Sequence, residues 1–168
     1  IATGVSFAND RSELKYNDAD ITDIENSAHL KIAFKKFFSS RYKLNFGAEY
    51  FVTNFTENYQ DTSLENNYEF DNNLFSSFVE TDIFFSKKLA TKIGIRGEYS
   101  ELLQEFNLSP RLSLAYKAGA NSQFSLAYGE FFQNPKNDYL KYNSDFTAEN
   151  TTHYIANYQY VKNKQIFR

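Results

Sequence analysis

Cysteine, methionine and tryptophan are absent from this 168-residue chain, and it holds only six glycines, two prolines and two histidines. The lack of cysteine removes thiolate metal sites and disulfides, and it fits an exported bacterial β-protein. His29 and His153 lie far apart without the tight spacing of metal ligands, which argues against a metal centre. No run approaches the roughly 20 apolar residues of a membrane helix, and the mean hydropathy is −0.58. No Pro/Gly/Ser tract marks a linker, so residues 1–168 read as one unit. Charge of one sign is also missing. With 18 basic and 21 acidic residues the net charge is −3, leaving no basic stripe for nucleic acid. No Gly-x-Ser-x-Gly elbow occurs and neither histidine has an evident Ser and Asp partner, so the chain does not read as an enzyme. There is no signal peptide, and Ile1 reads as a mature end or a cut.

What is abundant is aromatic: 18 Phe and 13 Tyr, 18% of the chain. They fall in alternating runs, most clearly from Pro110 to Phe132. Leu112, Leu114 and Tyr116 share one face, against Arg111, Ser113, Ala115 and Lys117; Phe124, Leu126 and Tyr128 share one face, against Ser125, Ala127 and Gly129. A period of two is the signature of a strand. Closing a hairpin over Gly119-Ala120-Asn121 brings Leu112 to Tyr128, Leu114 to Leu126 and Tyr116 to Phe124, so that one face is large and apolar. The other is small, polar or charged. That contrast suits a transmembrane barrel wall, whose lumen-facing polar residues dilute the average hydropathy.

The same alternation recurs along the chain. Ile1 to Ala8 reads as the end of a strand, followed by strands at Ala28–Phe38, Tyr42–Thr53, Leu74–Ser86, Ala90–Ser100, the central hairpin and Glu149–Val161. A turn near Asn163 opens a last piece. Asn9–Asn26, Glu57–Asn73, Glu101–Asn107 and Gln133–Ala148 read as loops. Long connections alternate with turns of about three residues, the asymmetry of outer-membrane barrels, and the strand lengths suit a tilted crossing of about 9–11 residues. The predicted fold is all-β, an antiparallel up-and-down transmembrane β-barrel wall of about eight to nine strands.

Two stretches, SPRLSLAYKAGANSQFSLAYGEFFQNP with the following DYLKYNSDFTAENTTHYIANYQY, and VETDIFFSKKLATKIGIRGEYS (Val79 to Ser100), resemble the barrel of a TonB-dependent outer-membrane receptor. The Ser109-Pro110-Arg111 strand start and the Phe132-Gln133-Asn134-Pro135 loop start carry the resemblance most specifically, and it covers roughly Ser76 to Arg168. It implies a fragment of a barrel of about 22 strands, with the plug domain absent from this chain. It also implies capture of a scarce nutrient (a siderophore, vitamin or oligosaccharide) by external loops and plug, and uptake energised by TonB. The partners it implies are outer-membrane lipid, the TonB system through the missing plug, and a small nutrient ligand, in the bacterial outer membrane. No cofactor is expected. The alternative is a complete small eight-stranded outer-membrane barrel with a structural or adhesive role.

The candidate ligand contacts are Asn137, Tyr139 and Tyr142 in the loop Gln133–Ala148. Tyrosines of the apolar face, Tyr42, Tyr50, Tyr116 and Tyr128 among them, suit an interfacial girdle. The acidic cluster Asp18, Asp20, Asp23 and Glu25 has carboxylates for calcium but lacks the EF-hand glycine and spacing, so it reads as a solvated loop. On the polar face, a first hairpin centred on Ser40 pairs Lys31 with Glu49, and a second centred on Lys88 pairs Glu80 with Arg96. Glu80 and Asp82 have the look of a glycosidase pair, yet face a strand carrying Lys92 and Arg96, and wall ion pairing is the simpler reading. Asn-x-Ser/Thr matches at Asn54, Asn107 and Asn150 carry no weight in a bacterial protein.

Overall fold

A computed structural model describes residues 1–142, 145–162 and 165–167, with Ile166 described by its backbone alone. The elements in chain order are β1 Ala2–Tyr16, β2 Ala19–Ser39, β3 Tyr42–Gln60, β4 Glu65–Asp71, β5 Leu74–Phe84, β6 Leu89–Ser100, β7 Glu105–Lys117, β8 Ser122–Gln133, the helical turn α1 Asn137–Leu140, β9 Glu149–Lys162 and β10 Gln165–Phe167. All strands join one antiparallel sheet in the order β1-β2-β3-β5-β6-β7-β8-β9-β10, and β4 pairs with the outer part of β3. The pairings Asn54↔Asp71 and Phe51↔Leu74 keep one register. So β4 and β5 are a single strand interrupted at Asn72-Asn73, where the Asn72 N–H still donates to the Thr53 carbonyl at 2.8 Å. The sheet is open: β1 and β10 do not pair with each other.

The packing inverts that of a water-soluble domain. Among the described residues the buried hydrophobic side chains are Phe55 and Leu140, while the most deeply buried are the serines Ser76, Ser100 and Ser109. Large apolar groups of the opposite face stand open, with Leu126 at 55% exposure and Phe124 at 51%. A sandwich would cover that face with a second sheet. Lipid covers it in a barrel, whose charged face turns to the lumen. Close backbone approach on the lumen face requires Gly47, where a Cβ would sit 2.3 Å from the Ile32 carbonyl oxygen.

The first and central hairpins take the predicted registers. Leu30 opposes Tyr50, Ile32 opposes Ala48 and Phe34 opposes Phe46, with Lys31 opposite Glu49 and Lys35 opposite Asn45. Leu112 opposes Tyr128, Leu114 opposes Leu126, and Arg111 opposes Gly129. That last ladder stops at Arg111. The Lys117 N–H runs to the Lys88 carbonyl on the β6 side, so N–H groups of even-numbered β7 residues point to β8. Pro110 has none to give there, and the strands part.

Three expectations are corrected. Asn9–Asn26 is not a loop but a ribbon in which β1 and β2 pair up to Tyr16↔Ala19. Asn17 takes the left-handed conformation (φ 56°) at its tip, which a two-residue hairpin turn demands. Cross-strand polar contacts, Asn9 Nδ2 to Asn26 Oδ1 (2.6 Å) and Lys15 Nζ to Asp20 Oδ2 (3.3 Å), accompany the apolar pair Leu14↔Ile21 along it. Glu57–Asn73 is likewise paired, through β4. The Asp61 carboxylate accepts from the Ser63 and Leu64 N–H groups at 2.6 and 2.7 Å, and from the Tyr59 hydroxyl at 2.9 Å. Those bonds, led by the Ser63 N–H, hold its carboxyl below the ordinary aspartate range.

The second hairpin is centred on Lys87 rather than Lys88. Phe78, not Glu80, lies opposite Arg96; Glu80 opposes Gly94, Asp82 opposes Lys92 and Ser76 opposes Glu98. The Ser86 hydroxyl closes the turn by accepting from the Lys88 and Leu89 N–H groups, both at 3.1 Å. This register keeps every side chain on its expected face while placing Asp82 against a cation, which the expected register would have set against Gly94. The turn expected near Asn163 and the terminal Arg168 lie outside the described residues.

Candidate ligand-binding site

Alternation brings the charged residues of four strands to one lumen face, where they form two ion-pair clusters. Glu49, 7% exposed, is bound by Lys31 and by the guanidinium of Arg96, whose Nη1 and Nη2 each lie 3.1 Å from its Oε2. Arg96 Nη2 also donates to Ser76 Oγ at 2.8 Å, and its Nε pairs with Glu98 two residues along the strand. Lys92 Nζ sits between Glu80 Oε2 (3.5 Å) and Asp82 Oδ1 (3.4 Å). Glu80 therefore meets Lys92 rather than Arg96, and both carboxylates of the would-be glycosidase pair serve a single lysine.

The segment from Gln133 to Ala148 folds onto this wall as a strap. Asn134 Nδ2 donates to Ser100 Oγ at 3.0 Å and to Asn72 Oδ1 at 3.2 Å. Asn72 Nδ2 in turn donates to Asn137 Oδ1 at 3.0 Å, and Asn137 Nδ2 to Glu25 Oε2 at 2.9 Å. Lys141 pairs with Glu57, and Glu105 Oε2 accepts from the Ala148 N–H at 2.8 Å. Leu140 is buried at 5% exposure. The interruption of the β4–β5 strand at Asn72-Asn73 thus frees an amide to hold the strap. Between strap and wall lies a cavity of about 690 Å³, with Phe51, Phe55 and Phe132 in its lining beside Asn134, Asn137 and Glu25.

Of the three predicted contacts, Asn137 lines this cavity. Tyr139 and Tyr142 do not: they are 60% and 69% exposed, and Tyr142 lies edge-on to Tyr68 at 5.6 Å and 71°. The amide and carboxylate partners Asn72, Asn134, Glu25 and Glu57 were missed as site residues, since they come from separate parts of the chain. The paired Asn72-Asn73 was the one local signal.

Asp23, Glu57 and Asp138 bring carboxylate oxygens within 4.8 Å of one another. Of the acidic cluster weighed for calcium, only Asp23 joins this group. Lys141, paired with Glu57, supplies positive charge to it. Burial, with a hydrogen bond and repulsion from Glu57, raises the Asp23 carboxyl above its ordinary value. Burial lowers the Lys141 ammonium, but the hydrogen bond and charge of Glu57 outweigh it and leave the pKa raised. The histidines stay apart from this group. His29 stacks on Phe51 at 3.9 Å, and His153 lies 5.0 Å from Phe131.

Charge is polarised along the strands. Of the 21 acidic residues, 18 fall in the stretches 9–26, 54–73, 98–107 and 130–150, which the strands carry to the long-loop end. Only four of the 18 basic residues, Arg11, Lys15, Lys136 and Lys141, accompany them.

An open antiparallel wall with an outward apolar face, a charged lumen face and an inward-folded strap defines part of a large outer-membrane-type barrel. Solved structures bear this out. The chain superposes on the ferric enterobactin receptor PfeA with a TM-score of 0.71 at 15% identity, covering 88% of this chain and 26% of that one. On the alcaligin outer-membrane receptor FauA of Bordetella pertussis it gives 0.73 at 12% identity, covering 96% and 31%. On the siderophore receptor PirA of Pseudomonas aeruginosa it gives 0.65 at 16%, covering 98% and 33%. The chain has the fold of part of the barrel of such receptors and spans about a third of their length or less. No family model and no curated protein matches it.

Proposed function

We propose that the chain is part of the barrel wall of a TonB-dependent outer-membrane receptor that takes up a scarce nutrient, with a siderophore the first ligand class. The observation that carries this reading is the strap of residues 134–142 and 145–148, hydrogen-bonded to the lumen wall at the long-loop end and bordering an open cavity of ligand size. The likeness in fold to receptors for ferric enterobactin and alcaligin supports it. The wall's role is transport rather than catalysis: it shapes the mouth, with Asn137 contributing to capture. The plug and the contact with TonB belong to the rest of the receptor. The acidic long-loop end favours a ligand of neutral or positive net charge, because like charges focused in a cleft repel. The complete small barrel is not favoured, since the sheet is open.

The test is uptake of radiolabelled iron by cells carrying the full receptor, comparing wild type with a variant whose strap is shortened across 137–142. Cationic and anionic ferric complexes are supplied separately. Loss of uptake of a cationic or neutral complex in the variant, with the protein still in the outer membrane, is the expected result. Unchanged uptake removes the strap from the site, and preference for an anionic complex removes the charge argument.

A further inference from the structure

We infer that the short-turn rim of the wall is a binding belt for anionic phospholipid headgroups of the leaflet it faces; this rests on the outer-membrane reading above. The turns of this rim are joined edge to edge by backbone hydrogen bonds. The Phe84 N–H donates to the Arg41 carbonyl at 2.8 Å, and the Lys117 N–H to the Lys88 carbonyl at 2.7 Å. Lys36, Arg41, Lys87 and Lys88 therefore lie along one continuous edge, all exposed. Among the described residues none of the four makes an ion pair with a carboxylate. The nearest acidic side chains along the strands, Glu80 and Asp82, are engaged by Lys92 on the lumen face.

Unpaired cations at the end of an apolar wall need a counter-charge, and what surrounds them decides which. Lys36 shares the outer face with Leu44, its cross-strand partner. Its ammonium lies 4.9 Å above the Phe38 ring, which packs on Tyr42 at 5.5 Å. Phe85, 57% exposed, precedes Lys87 and Lys88 by two and three residues in the same turn. Aromatic rings interleaved with lysines are the composition of a membrane–water interface, where rings lie among the headgroups and ammonium groups reach outward. A phosphate-bearing headgroup with net negative charge answers the belt; a zwitterionic one answers it only in part. The acidic long-loop end has no such attraction, so the polarity of the wall would also orient its lipid contacts.

The experiment uses the full receptor, purified from outer membranes and reconstituted in phosphatidylethanolamine nanodiscs containing a minor fraction of phosphatidylglycerol. Retained lipids are counted by native mass spectrometry. Wild type is expected to retain phosphatidylglycerol in preference. The set Lys36→Gln, Lys87→Gln, Lys88→Gln is expected to lose about fivefold in that preference per charge removed, the equivalent of ~1 kcal/mol per cation near an anionic surface. The corresponding arginine set should keep it, as should Arg11→Gln on the opposite end. Equal retention of the two lipids by wild type, or undiminished preference in the glutamine set, overturns the inference. Should the glutamine set fail to fold, the salt response of wild type decides, a preference insensitive to salt being incompatible with a headgroup ion pair. A receptor that fractionates outside the outer membrane would overturn the parent reading as well, which the lipid count alone does not touch.

Discussion

Replacing Arg96 by methionine keeps an unbranched apolar stem and removes the cation that holds three strands together on the lumen face. The side chains of Arg96, Glu98 and Glu49 are 18%, 16% and 8% exposed, and the guanidinium gives two hydrogen bonds to Glu49 and one to Ser76 besides its pair with Glu98. Breaking a buried pair costs about 3–5 kcal/mol because the partner charge is left uncompensated. Here Lys31 still reaches Glu49, so the lower end, about 3 kcal/mol, is expected. The assay is urea unfolding of the full receptor in detergent micelles, followed by the mobility shift between folded and unfolded barrel on unheated gels. Adding Glu98→Gln to Arg96→Met should recover most of the loss, since Lys31 still balances Glu49 and no carboxylate of the cluster is then left without a cation. A double-mutant cycle between Arg96 and Glu49 should give a coupling of about 0.5–3 kcal/mol. The cycle between Arg96 and Glu80 should give almost none, because Glu80 lies against Lys92. A large Arg96–Glu80 coupling, or an Arg96→Met receptor as stable as wild type, would refute the register and the network together.

Depth in the membrane gives a second prediction: Leu126→Arg on the outer face should cost about 2–4 kcal/mol in lipid vesicles. Ser125→Arg on the lumen face should cost much less, and equal costs would point to a sheet covered on both faces. Gly47→Val should destabilise by about 1–3 kcal/mol, the range for overpacking, because its Cβ would meet the Ile32 carbonyl at 2.3 Å; the same unfolding assay reads it. The raised carboxyl of Asp23 predicts a pH response in the strap. A group held above its unfolded value of 3.8 contributes stability that is fully present below that value and is lost as pH rises through the raised one. Protection of the amides of Tyr139 to Tyr142 against hydrogen exchange, taken relative to the intrinsic exchange rate at each pH, should therefore fall as pH rises from 3.8 through the raised value. Asp23→Asn, which imitates the protonated carboxyl, should raise it at neutral pH and flatten the response; lower protection in that variant would reverse the sign.

Period-two alternation was enough to read which face each strand presents, because a strand buried on one side only cannot slip by one residue without exposing the wrong set. It read registers well where both flanking strands repeat large residues, as in Leu30↔Tyr50 to Phe34↔Phe46. It was blind to a slip of two, which leaves all faces unchanged. The hairpin at Lys87 moved by such a step for the sake of Ser86, whose hydroxyl closes the turn, and of Asp82, which gains Lys92. The polar ribbons β1–β2 and β3–β4 escaped for a different reason. Beyond the apolar band a strand need not show hydrophobic alternation, since its backbone ladder and amide pairs such as Asn54 to Asp71 (3.1 Å) hold it in water.

The strap contacts were illegible because they join residues remote in sequence: Asn72 to Asn137 across 65 positions and Asn137 to Glu25 across 112. Nothing local distinguishes an asparagine that will hold a loop from one that merely solvates it. The Asn72-Asn73 step interrupts the strand that pairs with β3 while its backbone stays bonded, the Asn72 N–H to Thr53 and the Asn73 carbonyl to Glu101. At that step the Asn72 side-chain amide meets both Asn134 and Asn137 of the returning chain. The strap is therefore held by several ties of different strength: neutral amide bonds worth about 0.5–1.5 kcal/mol net, bonds to the Glu25 and Glu105 carboxylates worth about 1.5–3 kcal/mol, and the buried Lys141–Glu57 pair, whose rupture would leave a buried charge uncompensated.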